Sequence, residues 1–99
     1  MTVSTQDLYT ARYFGPFRIA TELKQEQFDM ELNEPTIRDL IDNIIQKHPE
    51  LESSFFVNGK LNNNVNIVIN GEDVRSKQEL STKISPHDRI TFFKGVGGG

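Results

Sequence analysis

The 99-residue chain has no cysteine. This excludes disulfides, iron–sulfur ligation and a cysteine nucleophile, and it fits a cytoplasmic protein. No apolar run approaches the ~18–20 residues needed to cross a bilayer. Met1–Asp7 is polar and lacks the apolar core of a signal peptide, so no membrane association is expected. Basic residues are few and scattered: 11 Lys and Arg stand against 14 Asp and Glu, a formal net charge of -3. That balance argues against nucleic acid as a ligand and permits a partner with a basic groove. Only two histidines occur, His48 and His87, far apart in sequence, so no metal site is expected. No G-x-x-x-x-G-K-[ST] loop is present, no nucleophile signature surrounds any serine, and no carboxylates form an acid/base pair. The chain is therefore not expected to be an enzyme by itself or to hold a cofactor.

Hydrophobic residues make up 35% of the chain, so a single-domain core must be small, and seven phenylalanines must fill much of it. Leu8–Phe14 mixes aromatic, β-branched and apolar residues and stops at Gly15-Pro16, which predicts a first strand. Phe17–Ala20 follows as a helical turn or loop. Phe28, Met30 and Leu32 alternate with polar residues, which predicts a half-buried second strand hairpinned to the first. Ile37, Leu40, Ile41, Ile44 and Ile45 recur at the helical period and form one apolar stripe. Thr36 with Asp39 resembles a capping box, and Pro49 ends the segment, so the spacing predicts a helix from Thr36 to His48. Phe55–Val57 is a short apolar run before Asn58-Gly59. Val65–Ile69 reads as a strand, Asn70-Gly71 as a type I′ turn and Glu72–Val74 as a brief return. Gln78–Ile84 is a helical turn or irregular, Ser85–Asp88 is a turn with proline at its second position, and Arg89–Phe93 is the last strand.

One helix among strands buries its stripe most economically across one face of a sheet. The expected class is α+β: a β-grasp (ubiquitin-like) mixed sheet of four to five strands with one main helix on one face. The first and last strands pair at its centre. Residues 1–94 form the domain and residues 95–99 a flexible glycine tail.

Four stretches resemble the small subunit of molybdopterin synthase (the MoaD type) and its archaeal modifier relatives, β-grasp sulfur carriers akin to ubiquitin. They are Arg12-Tyr13-Phe14 with Phe17-Arg18; Pro35–Ile41 with His48–Leu51; Val65–Arg75; and Asp88–Phe93 with Val96 and Gly98-Gly99. Together they span nearly the whole chain in the family's order. The sequence departs from the family between the last strand and Val96. Two prolines, or proline with a small residue, are common there, and this chain has Lys94-Gly95. The departure adds a charge and a more flexible residue at the root of the tail.

The sequence closes on Gly97-Gly98-Gly99. Such a tail is either an inert spacer or a thread that enters a narrow channel, since glycine lets another backbone approach closely. An α-carboxyl is ionised at neutral pH, with a pKa near ~3.5, and must be activated before a nucleophile attacks it. The resemblance implies that a ubiquitin-activating-type enzyme adenylates Gly99 using ATP and Mg, and that a sulfur donor then converts it to a thiocarboxylate. It also implies the molybdopterin synthase large subunit as a partner. Gly95–Gly99 reaches about 17 Å when extended, so Gly95, Val96, Gly97 and Gly98 are the threading residues. Phe92 and Phe93 face opposite sides of their strand. Phe92 shares a face with Ile90 and is assigned to the core, and Phe93 to the partner side. Lys94, Arg12 and Arg18 are further partner-surface candidates. Three functions remain open at this point: a sulfur carrier for molybdopterin synthesis, a ubiquitin-like modifier joined through Gly99 to target lysines, and a β-grasp binding module with an inert tail.

Overall fold

The computed structural model describes residues 8–95. Strand β1, Leu8–Tyr13, is followed by Gly15 at φ 59 and a short helix α1, Pro16–Thr21, with proline in its first turn. Proline suits that position because its missing N–H would have no partner there. Strand β2, Gln25–Asp29, returns antiparallel to β1, from Leu8 opposite Asp29 to Arg12 opposite Gln25.

This strand begins and ends earlier than the expected 28–32 stretch. It is an edge strand whose inward residues are Glu26 and Phe28, so its start carries no apolar alternation. Met30 is buried beyond the strand's end, which carries the alternation past it, while Leu32 is 50% exposed.

The main helix α2 runs Ile37–Lys47. Its stripe of Ile37, Leu40, Ile41 and Ile44 is wholly buried, and Ile45 packs at its margin. The capping box is complete. The Thr36 hydroxyl accepts the Asp39 N–H at 3.3 Å, and the Asp39 carboxylate accepts the Thr36 N–H at 2.9 Å. Two helix donors left open by geometry are thereby satisfied. A 3-10 turn, Pro49–Leu51, leads into α3, Glu52–Phe55.

Phe55 ends α3 and is buried, so the 55–57 run is split between helix and strand. Strands β3, Phe56–Val57, and β4, Lys60–Leu61, make a small separate hairpin. Asn58 and Gly59 turn it with φ of 53 and 78, both positive as a type I′ turn requires. Asn70 and Gly71, at φ 51 and 89, do the same between β5, Val65–Ile69, and β6, Glu72–Asp73. Two 3-10 turns and a turn closed by Asp88 N–H donating to Ser85 O follow. Strand β7, Ile90–Lys94, then enters the middle of the sheet, parallel to β1 and antiparallel to β5.

The five strands lie in the order β2-β1-β7-β5-β6. Tyr9, Ala11, Tyr13, Phe28, Val65, Ile67, Ile69, Ile90 and Phe92 turn one face inward beneath α2. The expected β-grasp arrangement is the one observed. Phe17, Phe55 and Phe92 meet at its centre, with ring centroids 4.9 Å apart for Phe17–Phe55 and 5.6 Å for the edge-on Phe55–Phe92 pair.

Candidate functional site

Parallel β1 and β7 run to the same end of the sheet, so β7 ends where β1 gives way to α1. The Phe14 N–H donates to Phe92 O at 3.0 Å and carries the ladder one step past β1. On the other side of β7, Lys94 stands opposite Val65. Gly95, the next residue, is still held: its N–H donates to Asn64 O at 2.7 Å. The root of the tail is thus anchored on a carbonyl of the β4–β5 loop, although Gly95 was expected in a free tail. Val96, Gly97, Gly98 and Gly99 lie outside the described residues.

Strand alternation sorts the side chains expected to meet a partner. Phe92 is fully buried and Phe93 faces the opposite, helix-free side, partly buried beside Asn66 of β5. Arg12 projects from that same open face, with Thr91 and Gln25 on the flanking strands. Phe14, 44% exposed, sits at the strand end with the same parity as Arg12. Sequence reasoning did not single Phe14 out. Its signal was available, as two residues past Arg12 in the alternation. Lys94 has the parity of Phe92 and therefore leaves toward the helix side, away from Phe93. Arg18 is exposed on α1, whose Phe17 packs into the helix-side core. The structure joins Arg12 with Phe93, and Phe14 with both, on one face. It does not bring Lys94 or Arg18 onto that face.

A second polar cluster ties the two layers together. Glu26 Oε1 accepts the Tyr13 hydroxyl at 2.9 Å and lies 2.9 Å from His48 Nε2, while Lys47 Nζ is 3.3 Å from Oε2. Burial pushes the Glu26 carboxyl upward, but the contacts from His48, Tyr13 and Lys47 outweigh it and hold the group below its ordinary range. Burial and then the Glu26 carboxylate drive the Tyr13 hydroxyl strongly upward, so it stays neutral and donates. The cluster joins β1 and β2 to the end of α2.

Among the described residues no group of three or more His, Cys, Asp or Glu is placed to hold a metal, and no helix is long and apolar enough to cross a membrane. Arg12, Phe14 and Phe93 thus share one face of the sheet beside the end of β7. The ThiS family model matches residues 11–99, through β7 and on to the final glycine. The chain belongs to the ThiS family. ThiS-type proteins are small ubiquitin-like sulfur carriers or modifiers and not enzymes themselves.

Solved structures agree with this ThiS-family assignment. SAMP1 from Haloferax volcanii is 25% identical with a TM-score of 0.80, covering 93% of this chain and 99% of that one. A chain of the Amycolatopsis orientalis BexX/CysO complex is 25% identical with a TM-score of 0.73, covering 92% and 99%. A putative molybdopterin converting factor, subunit 1, from Pyrococcus furiosus shares the fold at 22% identity and a TM-score of 0.69, covering 90% and 98%. A comparison with curated proteins finds no match.

Proposed function

We propose that this ThiS-family chain carries sulfur as a thiocarboxylate on Gly99 and delivers it in molybdopterin synthesis. The observation that carries the reading is the family match running through the terminal glycines, on a fold whose central strand ends at Lys94, shortly before them in sequence. The chemistry follows from the carboxylate. One of its oxygens attacks the α-phosphorus of ATP and displaces pyrophosphate, with Mg shielding the phosphates. A hydrosulfide-equivalent donor then adds to the acyl carbon and expels AMP, leaving the thiocarboxylate. Its sulfur attacks an electrophilic carbon of the pterin precursor, and water releases the acyl group as Gly99 carboxylate. The sequence has no G-x-x-x-x-G-K-[ST] loop to hold ATP, so in this reading a ubiquitin-activating-type enzyme supplies the first step and a large subunit the last. The open face around Phe93, Phe14 and Arg12 is the docking surface in this reading, and Val96–Gly98 is the thread. That a similar chain occurs in the BexX/CysO complex supports a partner of this kind.

The likeness to SAMP1, a small archaeal modifier protein, favours a second reading in which the same adenylate is attacked by a lysine amine. Both readings share activation. The test incubates the chain with the host's adenylating enzyme and ATP and follows pyrophosphate release and an acyl-adenylate on Gly99. No adenylate would reject both readings and leave a binding module. Pull-down with the host's large subunit then separates the carrier role from the modifier role.

A further inference from the structure

We infer that Arg75, Asn66 and the 62–64 loop form a clamp that fixes the direction in which the tail leaves the domain. Its functional half rests on the carrier reading above. The starting point is the Gly95 N–H bonded at 2.7 Å to Asn64 O. Asn64 lies in a loop with no strand of its own, so its carbonyl is a useful anchor only if the loop is held.

The loop is held on several sides. Asn62 N–H donates to Phe55 O at 2.7 Å, and Val65 N–H to Asn62 O at 3.0 Å. The Asn62 side chain accepts the Asn64 N–H at 3.0 Å. Arg75 closes it from outside. Nη2 donates to Val65 O at 3.0 Å and to Asn63 O at 3.4 Å, while Nη1 donates to the Asn66 side chain at 3.2 Å. Asn66 in turn donates to Asn64 O, the same oxygen that holds Gly95, at 3.4 Å. Asp73 aims the guanidinium: it accepts the Arg75 N–H at 2.8 Å and faces Nη1 at 3.3 Å. A planar fork reaching two carbonyls and an amide is a task for arginine, since an ammonium's three donors all radiate from one nitrogen and cannot span partners held that far apart. The tail root also lies close against the clamp, because a Cβ on Gly95 would come within 3.2 Å of Asn66 Nδ2.

A glycine just past a strand is the residue with most freedom to lose when a tail enters a channel. Holding its N–H before docking removes part of that loss and raises the effective concentration of the terminal carboxylate at the partner's active site. Arg75 is thus a positioning residue that acts through the loop, with no contact to the reacting atoms.

The experiment uses the full chain and two variants, Arg75→Met and Arg75→Lys. Amide exchange at Gly95 is read by NMR, and adenylation kinetics are read with the host's activating enzyme. Losing the fork should quicken Gly95 exchange roughly fivefold, the worth of about one net hydrogen bond, with Ile67 in β5 unchanged. kcat for adenylation should fall by a similar factor at constant KM, and Arg75→Lys should recover less than half. Unchanged Gly95 exchange in Arg75→Met overturns the clamp. Faster exchange with unchanged kcat overturns its role in positioning. If the wild-type chain is not adenylated at all, the carrier reading fails, and the exchange comparison alone decides whether the clamp exists.

Discussion

Phe92 and Phe93 are neighbours in sequence, and the fold places them on opposite faces of the sheet. Phe92 is fully buried, its ring edge-on to Phe55 at 5.6 Å and 6.4 Å from both Phe17 and Tyr13. Truncation at such a site costs about 3–5 kcal/mol through lost transfer energy and the cavity left behind. A chain of this length has about 5–15 kcal/mol in total, so Phe92→Ala should lose about a fifth or more of its stability. With a urea m-value of ~1–2 kcal/mol/M, the midpoint should drop by about 1.5 M or more. Phe92→Leu, at about 1–2 kcal/mol, keeps a folded comparator. Phe93 faces the open side, so Phe93→Ala should cost about 1 kcal/mol or less. Its effect should instead appear in partner docking. An aromatic anchor at the centre of a contact is worth at least ~1.4 kcal/mol, which is about a tenfold rise in KM for the adenylating enzyme. Urea melts and adenylation kinetics on the three variants decide the matter. A Phe93→Ala midpoint as low as that of Phe92→Ala would mean that the domain itself covers Phe93. A wild-type KM would mean that the open face is not the docking face.

Removing the cap with Thr36→Ala should cost about 1 kcal/mol, a fall of roughly 4–8 °C in Tm; an unchanged Tm by calorimetry would show that the box contributes nothing. Glu26 titrates below its ordinary range when folded, so its contribution is full above the unfolded value of about 4.3 and is lost as pH falls through the folded value. Glu26→Gln should therefore be destabilised by about 1–3 kcal/mol at pH 7, and the gap to wild type should close below about pH 4; a gap that stays constant with pH would contradict the ionised cluster. Gly98→Ala should impair adenylation while leaving the urea midpoint unchanged, and normal adenylation of that variant would reject the narrow-channel argument.

The elements most legible in the sequence were those written in local spacing. The α2 stripe and the Thr36–Asp39 box each lie within a few residues, and the structure reproduces both. The alternation that separates Phe92 from Phe93 is equally local. Asn70-Gly71 was read as a hairpin turn, while the same dipeptide chemistry at Asn58-Gly59 was not, because β3 and β4 have two residues each and show no alternation. The polar start of β2 hid its true span. The Glu26 cluster and the Arg75 clamp were out of reach for a different reason. Tyr13, Glu26 and His48 are 13 and 22 residues apart in sequence, and two of the Arg75 partners are the backbone carbonyls of Asn63 and Val65, which no side-chain pattern records. The role of the terminal glycines was argued from carboxylate chemistry and the resemblance, and they lie outside the described residues.

The central claim is that the Gly99 carboxylate is the reactive group. Its most direct test is mass spectrometry of the intact chain and its C-terminal peptide, purified from the native host with and without the adenylating enzyme. The account predicts a fraction with one oxygen of Gly99 exchanged for sulfur, absent when the enzyme is missing. An unmodified Gly99 carboxylate in both hosts would contradict it.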